Sequence, residues 1–206
     1  MNSSNSNAAT GSQLPTELRT ELRQLRRQLS PSQQHQAARS LYKNVICRND
    51  FLKAKRVAFY LANDGEIDPL PILFKALSMG KQCYLPIMSK LKQDTVCFAA
   101  YTLDTTVQAN KWGIFEPRTA AKDFVATSSL HLVFVPIVGF DARGARLGMG
   151  KGCYDRGFAF KRRHGRGQPK LLGIAHDCQR LPAVAVNPWD VKLDTVITDK
   201  SVYTRQ

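Results

Sequence analysis

The segment PIVGFDARGARLGMGKGCYD (136–155) concentrates the residue types that handle phosphate. Glycines stand at 144, 148, 150 and 152, with Arg143, Arg146 and Lys151 among them. Glycines at this density allow positive φ and let bare N–H groups approach a ligand. The preceding run LHLVFV (130–135) is apolar and β-branched and reads as a buried strand, and CYDRGFAFKRRH after the glycines can form a helix. At such a junction the loop amides and the helix N-terminus form a phosphate cradle, to which Lys151 adds a full charge. Asp155 falls one turn into the helix, where a carboxylate could hold magnesium against the same phosphates. The spacing fits neither common phosphate loop. GxxxxGK followed by Ser or Thr would need glycine where Ala145 stands and a hydroxyl where Gly152 stands, and GxGxxG is replaced by GxGxG over 148–152. On residue types alone, a phosphate cradle and a plain glycine-rich loop both remain open.

Other carboxylates and rings need the same weighing. Glu66 lies in LANDGEIDP, directly after the strand-like RVAFYL (56–61), and Asp64-Gly65 is a good turn pair. A solvated turn is the plain reading of Glu66; a position past the end of a parallel strand favours a binding role. Asp194, in VKLDTVIT, reads on its own as a solvent-facing residue before an edge strand. Trp112 could stack on a flat ring, with core packing the default. The pair His176-Asp177 resembles part of a catalytic dyad, but no Ser or Cys nucleophile accompanies it and the GxSxG elbow is absent.

The elements that must position these groups are legible in outline. Leucines at 18, 22, 25 and 29 form a helical stripe, with Arg19, Arg23, Arg26 and Arg27 on other faces as a solvated basic surface. Ser30, Pro31 and Gln33 supply an N-cap, a first-position proline and a capping-box partner for a second helix running to about Cys47. RVAFYL (56–61), a helix from Asp68-Pro69 to Gly80, and QCYLP (82–86) make a βαβ unit, which implies a parallel sheet. TVCFAAY (95–101), LLGIAH (171–176) and TVIT (195–198) are further strands. The expected fold class is α/β: a single three-layer α/β/α domain with a mostly parallel sheet over 14–206, preceded by a disordered polar tail at 1–13. Ligands bind such sheets beyond the carboxyl ends of the strands, which puts Asn63 to Glu66, Pro136 to Asp155 and His176-Asp177 on one rim.

Composition sets the remaining bounds. The chain has 206 residues, 43% of them hydrophobic, enough for one well-formed core. No apolar run nears the length of a membrane span and there is no secretory h-region, so a cytoplasmic location is expected. Five cysteines without a CxxC pair argue against a disulfide framework and a structural zinc site. The net charge of +14 points to polyanionic partners, and nucleic acid and small phosphate-bearing molecules both satisfy it. KRRHGRGQPK (161–170) favours the former, but no nucleic-acid-binding pattern accompanies it.

FDARGARLGMGKGCYDR resembles the signature of the 5-formyltetrahydrofolate cyclo-ligase family, whose usual form is close to FDxxGxRLGxGxGYYDR. LRTELRQLRRQLS, FYLANDGEIDP, GIAHDCQ and PWDVKLDTVITD extend the resemblance over most of the chain. It implies conversion of 5-formyltetrahydrofolate to 5,10-methenyltetrahydrofolate, with ATP as co-substrate, magnesium as cofactor, and ADP and phosphate released. The ATP-binding residues it implies are Arg19, Arg146, Leu147, Gly148, Met149, Gly150, Lys151, Gly152, Cys153 and Tyr154. Folate binding falls to Leu61 and Glu66 together with Met149, Gly150, Lys151, Gly152 and Cys153. Asp155 and Asp194 become the metal ligands, and Lys151 and Arg146 the catalytic cations. Two positions depart from the pattern: Pro15 replaces a basic residue of the N-terminal phosphate clamp, and Cys153 replaces an aromatic residue. A folate-binding relative without catalysis is the alternative those departures raise. The partners implied are ATP and 5-formyltetrahydrofolate, with no nucleic acid, no membrane and a monomeric chain.

Overall fold

The computed structural model describes residues 15–89, 95–110, 113–164 and 167–205; the expected tail at 1–13 and Trp112 lie outside them. Helix α1 (Pro15–Arg27) leads directly into α2 (Pro31–Ile46), whose start follows the expected chemistry. The Ser30 side chain accepts from the Gln33 amide, Gln33 returns the bond to the Ser30 amide, and Pro31 occupies the first turn. After the short α3 (Asn49–Lys53) come β1 (Arg56–Ala58), α4 (Leu70–Ser78) and β2 (Gln82–Ser89), with β1 and β2 parallel as the βαβ pattern requires.

Beyond β2 lie β3 (Thr95–Tyr101), a small hairpin of β4 (Val107–Ala109) and β5 (Phe115–Pro117), then β6 (Leu132–Pro136). A second hairpin, β7 (Gly139–Phe140) with β8 (Arg146–Leu147), carries the turn that opens the glycine loop. The chain closes with α5 (Cys153–Gly157), α6 (Lys161–His164), β9 (Lys170–Ile174), β10 (Thr195–Ile197) and β11 (Val202–Thr204). The main sheet has seven strands in the order β11-β10-β9-β6-β1-β2-β3. Its five inner strands are parallel, and the edge strands β3 and β11 are antiparallel. The hairpins and β11 were not expected from the sequence: each strand in them has only two or three residues, too short for periodicity to register.

Two apolar layers sandwich the sheet. Leu41, Val45, Phe51, Ile72 and Leu73 from α2 to α4 pack with Phe59 and Phe134 on one face. Phe98, Phe158, Val191 and Leu193 fill the other. The expected three-layer α/β/α domain is therefore the observed one. The single helix expected over 153–164 is instead two short pieces. Gly157 sits so close to β3 that a Cβ would lie 2.7 Å from Val96 Cγ1, and the chain there turns Phe158 into the core.

Strand order locates the ligand crevice. From β1 the chain moves outward through β2 and β3 on one side, whereas β6, β9 and β10 add on the other. The topological switch therefore falls between β1 and β6, where α/β sheets open a crevice beyond the strand ends. Phe134 on β6 holds this junction: it is fully buried and stacks on Phe59 at 4.8 Å between centroids. Phe134→Ala should lower unfolding stability by about 3–5 kcal/mol in urea titrations. A loss below about 1 kcal/mol would show that the junction does not depend on this stack.

Candidate functional site

A cleft of about 490 Å³ opens at that switch point. Its floor comes from the residues that follow β1 (Tyr60, Leu61, Asn63, Asp64, Glu66) and from Val135 to Val138 at the end of β6. The glycine loop, Gly148 to Gly152, closes one side. Arg19, Arg23 and Arg26 of α1 form another, and Ile114, Phe115, Asn187 and Trp189 stand at the mouth.

The floor is shaped by the turn after β1. Asp64 and Gly65 both take positive φ, 55° and 74°, so the chain reverses within two residues. The Gly65 position would bring a Cβ to 3.1 Å from the Arg26 carbonyl oxygen, so the turn lies flat against α1. Three guanidinium groups converge on Asp64. Arg23 Nε donates to Oδ2 at 2.7 Å, Arg26 Nη2 donates to Oδ2 at 3.0 Å, and Arg27 Nε donates to Oδ1. Burial alone would raise the Asp64 pKa; the arginine hydrogen bonds outweigh it and hold the carboxyl below its usual range. His176 Nε2 and Gln34 Nε2 add donors to the Gly65 carbonyl.

Glu66 follows that turn and points into the cleft. Its Oε2 accepts from the Asn63 amide at 3.2 Å, and Oε1 lies 3.6 Å from Arg26 Nη2. Burial pushes its pKa up to about 7, with Arg26 only partly offsetting the desolvation. Leu61 lines the same wall.

The glycine loop is a second backbone cradle. Gly150 has φ 89° and Gly152 has φ 62°, and Gly152 is the N-cap of α5. Arg19 Nε donates to the Gly148 carbonyl at 2.7 Å and its guanidinium lies beside Gly150, fastening the loop to α1. Arg146 Nη2 donates to Asp155 Oδ1 at 2.5 Å, and the Val191 amide donates to the same oxygen at 2.9 Å. Arg146, Met149, Lys151, Cys153, Tyr154 and Asp155 all border the cleft. The turn that launches the loop is held by Asp141, fully buried, which accepts from the Arg143, Ala145 and Val184 amides. Arg143 itself serves that turn rather than the cleft.

Several expected placements are corrected. Asp194 is not at the cleft: its Oδ2 accepts from the Leu171 amide at 2.8 Å and from Lys161 Nζ at 3.3 Å. It precedes β10, at the amino end of the parallel strands, whereas the cleft lies at their carboxyl ends. Asp155 and Asp194 thus do not form a two-carboxylate magnesium site, and no group of three or more metal-ligating side chains occurs among the described residues. Asp155 is met instead by the Arg146 guanidinium and the Val191 amide. Leu147 turns inward to pack with Leu22, Val138 and Ala145 and does not line the cleft. His176 and Asp177 make no dyad, in keeping with the missing nucleophile. The His176 ring reaches back to Gly65, while Asp177 Oδ1 accepts from Thr198 Oγ1 and Tyr203 Oη.

Arg26 is the residue the sequence concealed. The leucine stripe assigns it to solvent, yet it is only 1% exposed while Leu25 is 40% exposed. Its position four residues after Leu22, one turn along the buried face, was the available signal.

Residues 12–199 match the profile of the 5-formyltetrahydrofolate cyclo-ligase family. The chain is 34% identical over 182 residues to the 5-formyltetrahydrofolate cyclo-ligase of Escherichia coli K12, covering 88% of this chain and 98% of that protein. It is 32% identical over 184 residues to the Haemophilus influenzae protein of the same name, covering 88% and 95%. The solution structure of Aquifex aeolicus 5,10-methenyltetrahydrofolate synthetase superposes with a TM-score of 0.77 at 28% identity, covering 93% of each chain.

The buried carboxyl gives a ligand-free test. The folded pKa of Glu66, about 7, lies above its ordinary 4.5, so the folded state retains a proton that the unfolded chain has lost. Ionisation therefore costs stability as pH rises through this window, by up to roughly 3 kcal/mol. Glu66→Gln should raise the melting temperature relative to wild type at pH 8, with the difference shrinking towards pH 5. Equal differences at both pH values would contradict a buried, proton-retaining Glu66.

Proposed function

The chain belongs to the 5-formyltetrahydrofolate cyclo-ligase family, and from that premise we propose how its cleft works. The reaction is the cyclisation of 5-formyltetrahydrofolate to 5,10-methenyltetrahydrofolate. ATP drives it: the formyl oxygen attacks the γ-phosphate, giving an N5 iminium phosphate and ADP. The N10 nitrogen then closes on the formyl carbon and gives up its proton to solvent, and the carbon–oxygen bond breaks, releasing phosphate.

Neither step needs a protein nucleophile. The protein has to align two anionic reactants and neutralise the charge of the moving phosphoryl group. Glu66 accepts from the pterin ring, with Leu61 against its side. The triphosphate runs along Gly148, Gly150 and Gly152, whose turns expose backbone amides. Arg19, Arg146 and Lys151 supply positive charge there, and Met149, Cys153 and Tyr154 border the space between the two reactants. The observation that carries this reading is that one continuous cleft contains both the Glu66 turn and the glycine loop. The paired-carboxylate magnesium site does not fit the placement of Asp194, so these steps rest on the cations named.

The direct test is the absorbance of the methenyl product, followed with and without ATP. ATP-dependent formation is expected; its absence with both substrates saturating would contradict the reading.

Substitutions at two positions separate the groups assigned to chemistry from those assigned to structure. Lys151→Ala should lower kcat by about two orders of magnitude or more, the loss typical of a donor aimed at developing charge. Lys151→Arg should restore only part of the rate, because a planar fork does not replace a compact point charge. Near-normal turnover of Lys151→Ala at saturating ATP would remove this residue from the phosphate path. Asp194→Asn should instead weaken folding by about 1–3 kcal/mol, through its partners Lys161 and Leu171, and leave the magnesium dependence of turnover unchanged. A shifted magnesium dependence with unaltered stability would return Asp194 to the metal.

A further inference from the structure

Arg26 sits in the α1 wall of the cleft with 1% of its surface exposed. One edge of its guanidinium is spent on the turn: Nε donates to the Asp64 carbonyl at 2.8 Å and Nη2 to Asp64 Oδ2 at 3.0 Å. The end of the fork is different. Nη2 there lies 3.6 Å from Glu66 Oε1, and Nη1 is buried without any hydrogen-bond partner. A buried charged donor left unmet is costly, and in folded proteins such groups are rarely tolerated without a ligand or water to satisfy them. The orphan belongs to a residue that lines the cleft and adjoins the carboxylate assigned to the pterin.

The chemistry of the ring supplies a matching acceptor. Along one edge a reduced pterin presents a 2-amino group, an N3–H and a 4-oxo oxygen: donor, donor, acceptor. A carboxylate can take the two donors in bidentate fashion. The next position along that edge then requires an N–H donor, and the fork of Arg26 lies directly beside Glu66. We infer that Arg26 Nη1 donates to the 4-oxo oxygen of the substrate's pterin while Glu66 accepts from its 2-amino and N3–H groups. This rests on the assignment of Glu66 to the pterin and extends it. Arg26 becomes a specificity residue: a 4-amino group would set two donors against each other across a dry contact, while the same replacement turns N3 into an acceptor facing Glu66, so that both residues act against such rings.

The test measures dissociation constants without ATP for 5-formyltetrahydrofolate and its 4-amino-4-deoxy counterpart. It uses wild type, Arg26→Met, Arg26→Lys and Glu66→Gln. Loss of a charge-assisted donor should weaken the 4-oxo ligand about tenfold or more in Arg26→Met. The 4-amino ligand should hold its affinity, so that discrimination between the two shrinks by the same factor, the remainder coming from Glu66 and N3. Arg26→Lys keeps a cation facing Asp64 but has no second prong; it should show the same partial loss of discrimination, and it carries the test where Arg26→Met fails to fold. Equal weakening of both ligands in the Arg26 variants would mean that Arg26 only props up the turn, and would overturn the inference. Glu66→Gln separates the two levels. Unchanged affinity for the 4-oxo ligand in that variant overturns the pterin assignment and this inference with it. Weakened affinity there, with discrimination intact in both Arg26 variants, overturns only the role given to Arg26.

Discussion

The structure depends on Asp64, a carboxylate on which three arginines of one helix converge. Without it, Arg23, Arg26 and Arg27 would leave three like charges along the last two turns of α1, a repulsive arrangement for an isolated helix. With it, the helix is tied to the turn after β1, and Asp64 tolerates its positive φ because its side chain is held on several sides. Burial of Asp64 and Asp141 acts against their ionisation, yet hydrogen bonds leave both carboxyls depressed. Their contribution is therefore present at neutral pH and lost as pH falls through those lowered values.

Helix α1 consequently spans the cleft. Arg26 meets the Glu66 turn at one end, and Arg19 holds the glycine loop at the other. They are seven residues apart, about 10 Å along the helix axis. These are the two ends proposed for the pterin and for the triphosphate. The two halves of the cleft come from opposite sides of the β1/β6 switch point, and α1 is the element that fastens both. A change in α1 would thus alter two binding surfaces together, whereas a change in the glycine loop would alter one.

Much of this was legible in the residues. The capping box at Ser30, the βαβ spacing of 56–86 and the apolar run before Pro136 gave the layers and the parallel core, because each rests on local chemistry that tertiary packing did not override. The glycine loop and Glu66 were found through their residue types and through positions past strand ends. Asp194 was misplaced because a carboxylate before a strand looks the same whether it faces ligand or an amide; only the register of β9 against β10 shows that it caps the far end of the sheet. Leu147 was misplaced by one step of strand alternation, its neighbours Arg146 and Gly148 facing the cleft instead. Arg26 was hidden by charge: the rule that arginines face water fails where a carboxylate on another element waits for it.

The central claim is that the protein supplies alignment and charge, with the formyl oxygen itself taking the phosphoryl group. Transfer of oxygen isotope tests it most directly. 5-Formyltetrahydrofolate labelled with ¹⁸O in the formyl group should be turned over with ATP in unlabelled water, and the released phosphate analysed by mass spectrometry. The account predicts one labelled oxygen in each phosphate and no phosphorylated protein. Phosphate free of label, or label-free transfer through a phosphorylated side chain, would contradict it.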